Sequence, residues 1–195
     1  MKKLAAQSFT LKRKSSITGF TLVELLVVIA IIAILAAVVV LIINPLELTR
    51  RGRDAARLTD LANLQQAINV AVQEATTAGA NIACAGAAAG CIDNSQGGSR
   101  LTDGTGWVRV NLGVQTSVSV PTLPVDPTNT AGATGLHYTY CGSGDNWEII
   151  TDLESQQQIG KEGTDGGTDA AKYEVGSVLN LLGTALPGGA GNCTY

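Results

Sequence analysis

The sequence predicts an α+β chain: a long N-terminal helix, its first half transmembrane, packed on a small antiparallel β-sheet with a Cys-tied C-terminal region. Three observations predict it. An uncharged run of Leu, Val, Ile and Ala extends from Leu25 to Ile43; at about 1.5 Å rise per residue it spans roughly 28 Å, close to a bilayer core. Beyond it, Leu58, Leu61, Leu64, Ile68, Ala71, Val72 and Ala75 recur at three- and four-residue steps, which gives a helix one apolar face. Short alternating segments then follow between Gly, Pro and Asp clusters, the pattern of strands and turns.

Residues 1–19 form a polar leader with Lys2, Lys3, Lys12, Arg13 and Lys14 and no acid. The rest carries eight Lys/Arg against sixteen Asp/Glu, a balance of −8. A basic leader before an apolar run stays cytoplasmic, and the C-terminal domain crosses. An acidic domain of this kind argues against nucleic-acid binding through a basic patch, and its charge serves solubility. Residues 20–44 are the transmembrane helix. A secretory signal would have a shorter apolar region, uncharged at its start and followed by small residues for cleavage. Here Glu24 stands at the mouth of the run, where an unpaired carboxylate is costly in lipid and marks a functional position. A plain single-span anchor accounts for the hydrophobicity but not for Glu24.

Asn44-Pro45 ends or kinks the apolar helix, since Pro lacks an N–H and clashes with the preceding turn. Residues 45–195 form the extracytoplasmic domain. Its amphipathic helix covers about 46–77, with Arg50, Arg51, Arg53, Asp54, Asp60 and Glu74 at polar positions around the apolar face. A Gly/Ala/Ser-rich connection covers about 78–106, and a β region 107–195. Trp107–Val110 and Val114–Val120 alternate like strands. His137–Cys141 and Asn146–Thr151 read as a hairpin around Gly142-Ser143-Gly144-Asp145. Gly160–Asp169 is a loop, and Tyr173–Leu182 adds a short strand or turn.

Four cysteines, at 84, 91, 141 and 193, all lie beyond the membrane segment. An even count outside the cytoplasm reads as two disulfides, with three pairings open. Cys84–Cys91, closing a small loop, and Cys141–Cys193, tying the C-terminal end to a strand, are the favoured pair. Zinc is disfavoured, because no close Cys pair has zinc-type spacing and His137 is the only His. The chain holds no Gly-x-Ser-x-Gly, no phosphate-binding Gly-Lys-Ser/Thr, and no nucleophile, His and acid in a suggestive order, so it is not expected to be an enzyme.

The stretch Gly19-Phe20-Thr21-Leu22-Val23-Glu24, between basic leader and apolar run, resembles the precursors of type IV pilins and type II secretion pseudopilins. The resemblance implies cleavage by prepilin peptidase between Gly19 and Phe20, methylation of the Phe20 amine, and a role for Phe20 and Glu24 in filament assembly. Removing residues 1–19 leaves 176 of 195. It also implies a pilin-like fold, packing with other pilin-like subunits, and an inner-membrane assembly platform. The mature protein would sit in the cytoplasmic membrane and then in a periplasmic or cell-surface filament. Leu123-Pro124-Val125-Asp126-Pro127, Tyr138-Thr139-Tyr140 and Trp147-Glu148-Ile149 look like the pseudopilin branch, with the type IV pilus as the alternative. Some secretion pseudopilins have a calcium site near the C-terminal end. Asp165 and Asp169, with Glu162 and Asp145, are the candidate ligands here, because Gly/Asp loops supply hard oxygen ligands. The spacing matches no EF-hand, so solvated loop acids and no cofactor are the first expectation.

Overall fold

A computed structural model describes residues 19–75, 81–85, 90–114, 117, 119–132 and 135–182. The chain divides between Asn44 and Pro45 into two units. The first contains helix α1, Leu22–Ile43. Its described side chains are exposed on every side, and Leu22–Val40 is long and apolar enough to cross a membrane. In lipid a helix suits even this Val- and Ile-rich run, because every backbone group is satisfied internally. Asn44 ends α1 in the left-handed region, φ 44° and ψ 80°, a conformation Asn tolerates better than most residues.

The second unit begins with helix α2, Pro45–Glu74. Proline at the first helical position loses no hydrogen bond, and its φ is already helical. The expected end at Thr77 lies outside the described residues. Among the described residues four strands follow: β1 Cys91–Asn94, β2 Thr139–Ser143, β3 Asn146–Thr151 and β4 Tyr173–Gly176. They form one antiparallel sheet in the order β1-β2-β3-β4. The β2–β3 turn is Gly144-Asp145, closed by the Ser143↔Asn146 pair. Gly144 takes φ 63° at the first central position, where a side chain would be strained.

One face of the sheet packs on α2. Tyr140, Ile149 and Val175 stand in register across β2, β3 and β4. They join Leu61, Leu64, Ala67, Ile68 and Ala71 of α2, and Trp107, Trp147 and Tyr138, in one core. On the opposite face Cys141 and Ile150 are covered by Leu181 and Leu182. This is the α+β order expected, with the amphipathic helix laid on a small antiparallel sheet.

The structure departs from the expected pattern in four places. The connection at 78–106 contains β1, whose pairing with β2 runs from Cys91↔Gly142 to Asn94↔Thr139. Trp107–Val110 is not a strand: Trp107, Val108 and Val110 are all buried, so this segment crosses the core instead of lining one face. Its backbone bonds go to loops, Trp107 N–H to Ser99 O and Leu112 N–H to Thr102 O. The described part of Val114–Val120 forms no strand, while 115, 116 and 118 lie outside the described residues. Lastly, Asp54 is not a solvated polar position but fully buried.

Candidate functional site

The helix start is built by Thr21 and Glu24. Thr21 is the N-cap, with extended backbone at φ −79° and ψ 151°. Its hydroxyl accepts the Glu24 N–H at 3.2 Å. In return Glu24 Oε2 accepts the Thr21 N–H at 2.9 Å and the Thr21 hydroxyl at 2.8 Å. This capping box satisfies two backbone donors that a helix end otherwise leaves open. The acid is therefore set at the first turn, one turn from Phe20, which is exposed together with Gly19. Among the described residues nothing lies within 4 Å of where a Gly19 Cβ would stand.

In the second unit the Cys84–Cys91 disulfide is formed, closing a seven-residue separation at a Cα–Cα distance of 5.7 Å. It joins the short turn Ile82–Cys84 to β1. Cys141 is also disulfide-bonded; the expected partner Cys193 lies outside the described residues. The calcium candidates Asp165 and Asp169 lie in the loop before β4. Asp165 accepts the N–H groups of Gly167 and Glu174, and Asp169 Oδ1 accepts that of Ala171. Their oxygens shape the loop into β4, and among the described residues no three His, Cys, Asp or Glu gather as a metal site. His137 Nδ1 lies 3.2 Å from Thr130 O, and the ring borders a cavity of about 450 Å³ with Asp93, Thr139, Asp152 and Lys172.

The largest polar construction is one that sequence reasoning missed. Arg57 of α2 is fully buried and grips three carboxylates. It meets Asp126 side-on through Nε at 2.5 Å and Nη2 at 3.0 Å. It also reaches Asp54 at 2.8 Å and Glu154 at 2.8 Å. Asp54 in turn accepts the N–H groups of Glu154 and Ser155, and Asp126 those of Thr128 and Asn129. Arg53 pairs with Glu154 from the outer side. Burial opposes charge on all of these groups. The ion pairs outweigh it, so Arg57 rises above its ordinary pKa, Asp126 falls below the usual carboxylate range, and Glu154 falls to about 2. The result staples the first half of α2 to the Pro124–Thr128 turn and to the segment after β3. The signal was present in the spacing. Positions 54, 57, 61, 64, 68 and 71 form one buried seam, and only its chemistry changes from apolar to charged.

Residues 14–40 match the family model described as the prokaryotic N-terminal methylation motif, a span that includes Gly19, Phe20 and Glu24. Neither a curated protein nor a solved structure matches the chain. A methylation motif that runs into a helix apolar but for Glu24, which completes the Thr21 capping box, fits a membrane-anchored protein with an extracytoplasmic domain. This chain thus carries a type IV pilin-like prepilin signal, the kind processed by prepilin peptidase, ahead of a small α+β pilin-like domain.

Proposed function

We propose that the chain is a structural, non-catalytic subunit of a type II secretion-type pseudopilus. It is matured by cleavage after Gly19 and methylation of Phe20, and assembled through packing of its N-terminal helices. The observation that carries this reading is the match of the methylation motif over the residues where Glu24 opens an otherwise uncharged helix. The pseudopilin branch is favoured over the type IV pilus by the Pro-Val-Asp-Pro turn, whose Asp126 receives Arg57 in the buried network.

The energetics give Glu24 its role. Removing the apolar run from water is worth tens of kcal/mol, at about 1.5–3 per large side chain. That gain is already realised in lipid, so it does not drive the helix from bilayer to filament. A carboxylate in the membrane differs, because a cationic partner relieves its cost. Cleavage exposes the Phe20 amine, which is mostly protonated near neutral pH. In this reading Glu24 of an incoming subunit pairs with the Phe20 amine of a neighbour, and that pair supplies direction and register.

Intact masses from sheared-surface and membrane fractions of the native cells test the reading. A chain beginning at methylated Phe20, retained with the membrane, is the expected result. Abundance of that species in the sheared fraction transfers the assignment to a pilus. A chain still carrying residues 1–19 overturns both and leaves a non-polymerising anchored domain.

A further inference from the structure

Two glutamates on the outer face of the sheet are buried side by side, and neither forms an ion pair among the described residues. Glu148 on β3 is fully buried, and Glu174 on β4 nearly so. Glu148 pairs in register with Gly176 and Ile150 with Glu174, so the two acids are diagonal neighbours on one face. Each uses one oxygen on the backbone. Glu148 Oε2 accepts the N–H groups of Leu181 and Leu182 at 2.7 and 2.6 Å. Glu174 Oε2 accepts the Asp169 N–H at 3.2 Å. The other oxygens, Glu148 Oε1 and Glu174 Oε1, are buried and receive no donor from the described residues.

The backbone closes tightly over the pair. A Cβ on Gly176 would stand 2.4 Å from Trp147 O and 3.0 Å from Glu148 Cα, and one on Gly167 would stand 1.5 Å from Glu174 Oε2. The charged and titratable groups around the pair are mostly acidic. Asp165 and Asp169 face Glu174 from the preceding loop, and Lys161 and Tyr173 border the same cavity of about 410 Å³. Cys141 on the neighbouring strand β2 is disulfide-bonded and does not titrate. Two adjacent carboxylates cannot both stay ionised in such a setting, whereas one proton between them supplies the missing donor.

We propose that Glu148 and Glu174 share a single proton in the folded domain, and that this proton latches the Leu181–Leu182 segment onto the outer face of the sheet. The protonated pair has one negative charge, shared across the two facing carboxyls, and the two leucine N–H groups stabilise it from Glu148 Oε2. Loss of the proton to solvent doubles the charge in the same buried space. The cheapest relief is to let water in, and the cover over Glu148 is the short segment carrying Leu181 and Leu182, which are buried against Cys141 and Ile150. Burial first, and the facing carboxyl second, push the Glu148 pKa upward, and burial raises Glu174 as well. The closed latch is therefore the low-pH state, present below the ordinary carboxylate range and weakening as pH rises through the pair's folded value.

The test is a pH titration from 4 to 9 of the full chain in detergent micelles, followed by NMR of the glutamate side-chain carboxyl carbons and of the Leu181 and Leu182 amides. The expected result is one carboxyl titrating well above the ordinary range, with both leucine amides shifting at the same midpoint. Above that midpoint the opening constant rises about tenfold per pH unit, as loss of one proton requires. Glu174→Gln, whose amide donates permanently to Glu148 Oε1, is expected to keep the leucine amides in place across the range. Both carboxyls titrating in the ordinary range, leucine amides indifferent to the titration, or an unchanged pH response in E174Q would each overturn the latch. The wild-type titration decides the matter even where the variant does not fold.

Discussion

Arg57→Met deletes a fully buried guanidinium while keeping most of its volume. Asp54 and Asp126, both buried, lose their ion-pair partner, while Glu154, whose side chain is 11% exposed, keeps Arg53. The backbone N–H partners of Asp54 and Asp126 remain, so both keep part of their stabilisation. Removing one member of a buried ionic cluster costs about 3–5 kcal/mol, because the remaining charges stay buried and unpaired. For a domain of this size, at about 2–4 °C per kcal/mol, the melting temperature falls by roughly 6–20 °C at pH 7. The assay is thermal unfolding of the full chain in detergent micelles, read by tryptophan fluorescence. The chain's two tryptophans, Trp107 and Trp147, are both fully buried.

The pH dependence separates this account from simple loss of packing. In the wild type, Asp126 and Glu154 have lowered folded pKa values. Their stabilisation is fully present above the unfolded values near 3.8 and 4.5, and it is lost as pH falls through the folded values, which for Glu154 is about 2. In the Met variant Asp126 stays buried without a cation, so its folded value moves above the unfolded one, while Glu154 keeps Arg53. The variant then gains stability as pH falls from 7 to 4, and its deficit shrinks. A deficit below about 1 kcal/mol at pH 7, or one of equal size at pH 4 and pH 7, refutes the reasoning.

Other expectations follow from the same structure. Glu24→Val leaves cleavage and membrane insertion intact and removes the subunit from filaments, as followed by intact mass and by its share of sheared filaments; normal incorporation would show that Glu24 does not guide assembly. Thr21→Val is the control, since it removes the capping hydroxyl but keeps the acid. Replacing both Cys84 and Cys91 with Ser opens the seven-residue separation and lowers stability by about 2.5 kcal/mol on the chain-entropy estimate, measurable by urea unfolding under non-reducing conditions. Gly142→Ala would place a Cβ 2.0 Å from Ala83 O; forcing the β2 backbone away from the Ile82–Cys84 turn costs about 1–3 kcal/mol, and a thermal midpoint equal to wild type would contradict that contact. Below pH 4.5 the Glu154 contribution declines, by about 1–2 kcal/mol once its partial solvent access is discounted, and Glu154→Gln is expected to flatten that part of the stability profile.

Much of this protein is legible because the causes are local. The length of the apolar run, the basic leader, the Gly19–Phe20 junction and Glu24 lie within 43 residues of one another, and each acts through its own chemistry in lipid or on the adjacent backbone. The apolar part of α2 is legible for the same reason, since Leu61, Leu64, Ile68 and Ala71 repeat at helical spacing. The hairpin of β2 and β3 could be read from a Gly-Asp turn between two alternating segments. Asp54 and Arg57 continue the same seam, yet local sequence marks them as solvent-facing. Their burial depends on Asp126, 69 positions from Arg57, and on Glu154, 97 positions away.

Only the tertiary structure decided those placements. Strand β1 is Cys-Ile-Asp-Asn, with no alternation to announce it, and exists because β2 lies beside it and Cys84 is bonded to Cys91. Trp107–Val110 alternates on paper but is enclosed on both sides by the core. The Glu148–Glu174 pair is likewise invisible until β3 and β4 are in register. The sequence by itself determined the membrane helix and its processing signal, because solvent and near neighbours set those energies. Which charges are buried, and which segment becomes a strand, was decided by the fold, because a buried carboxylate or an unpaired strand edge is tolerable only with a partner brought from far along the chain.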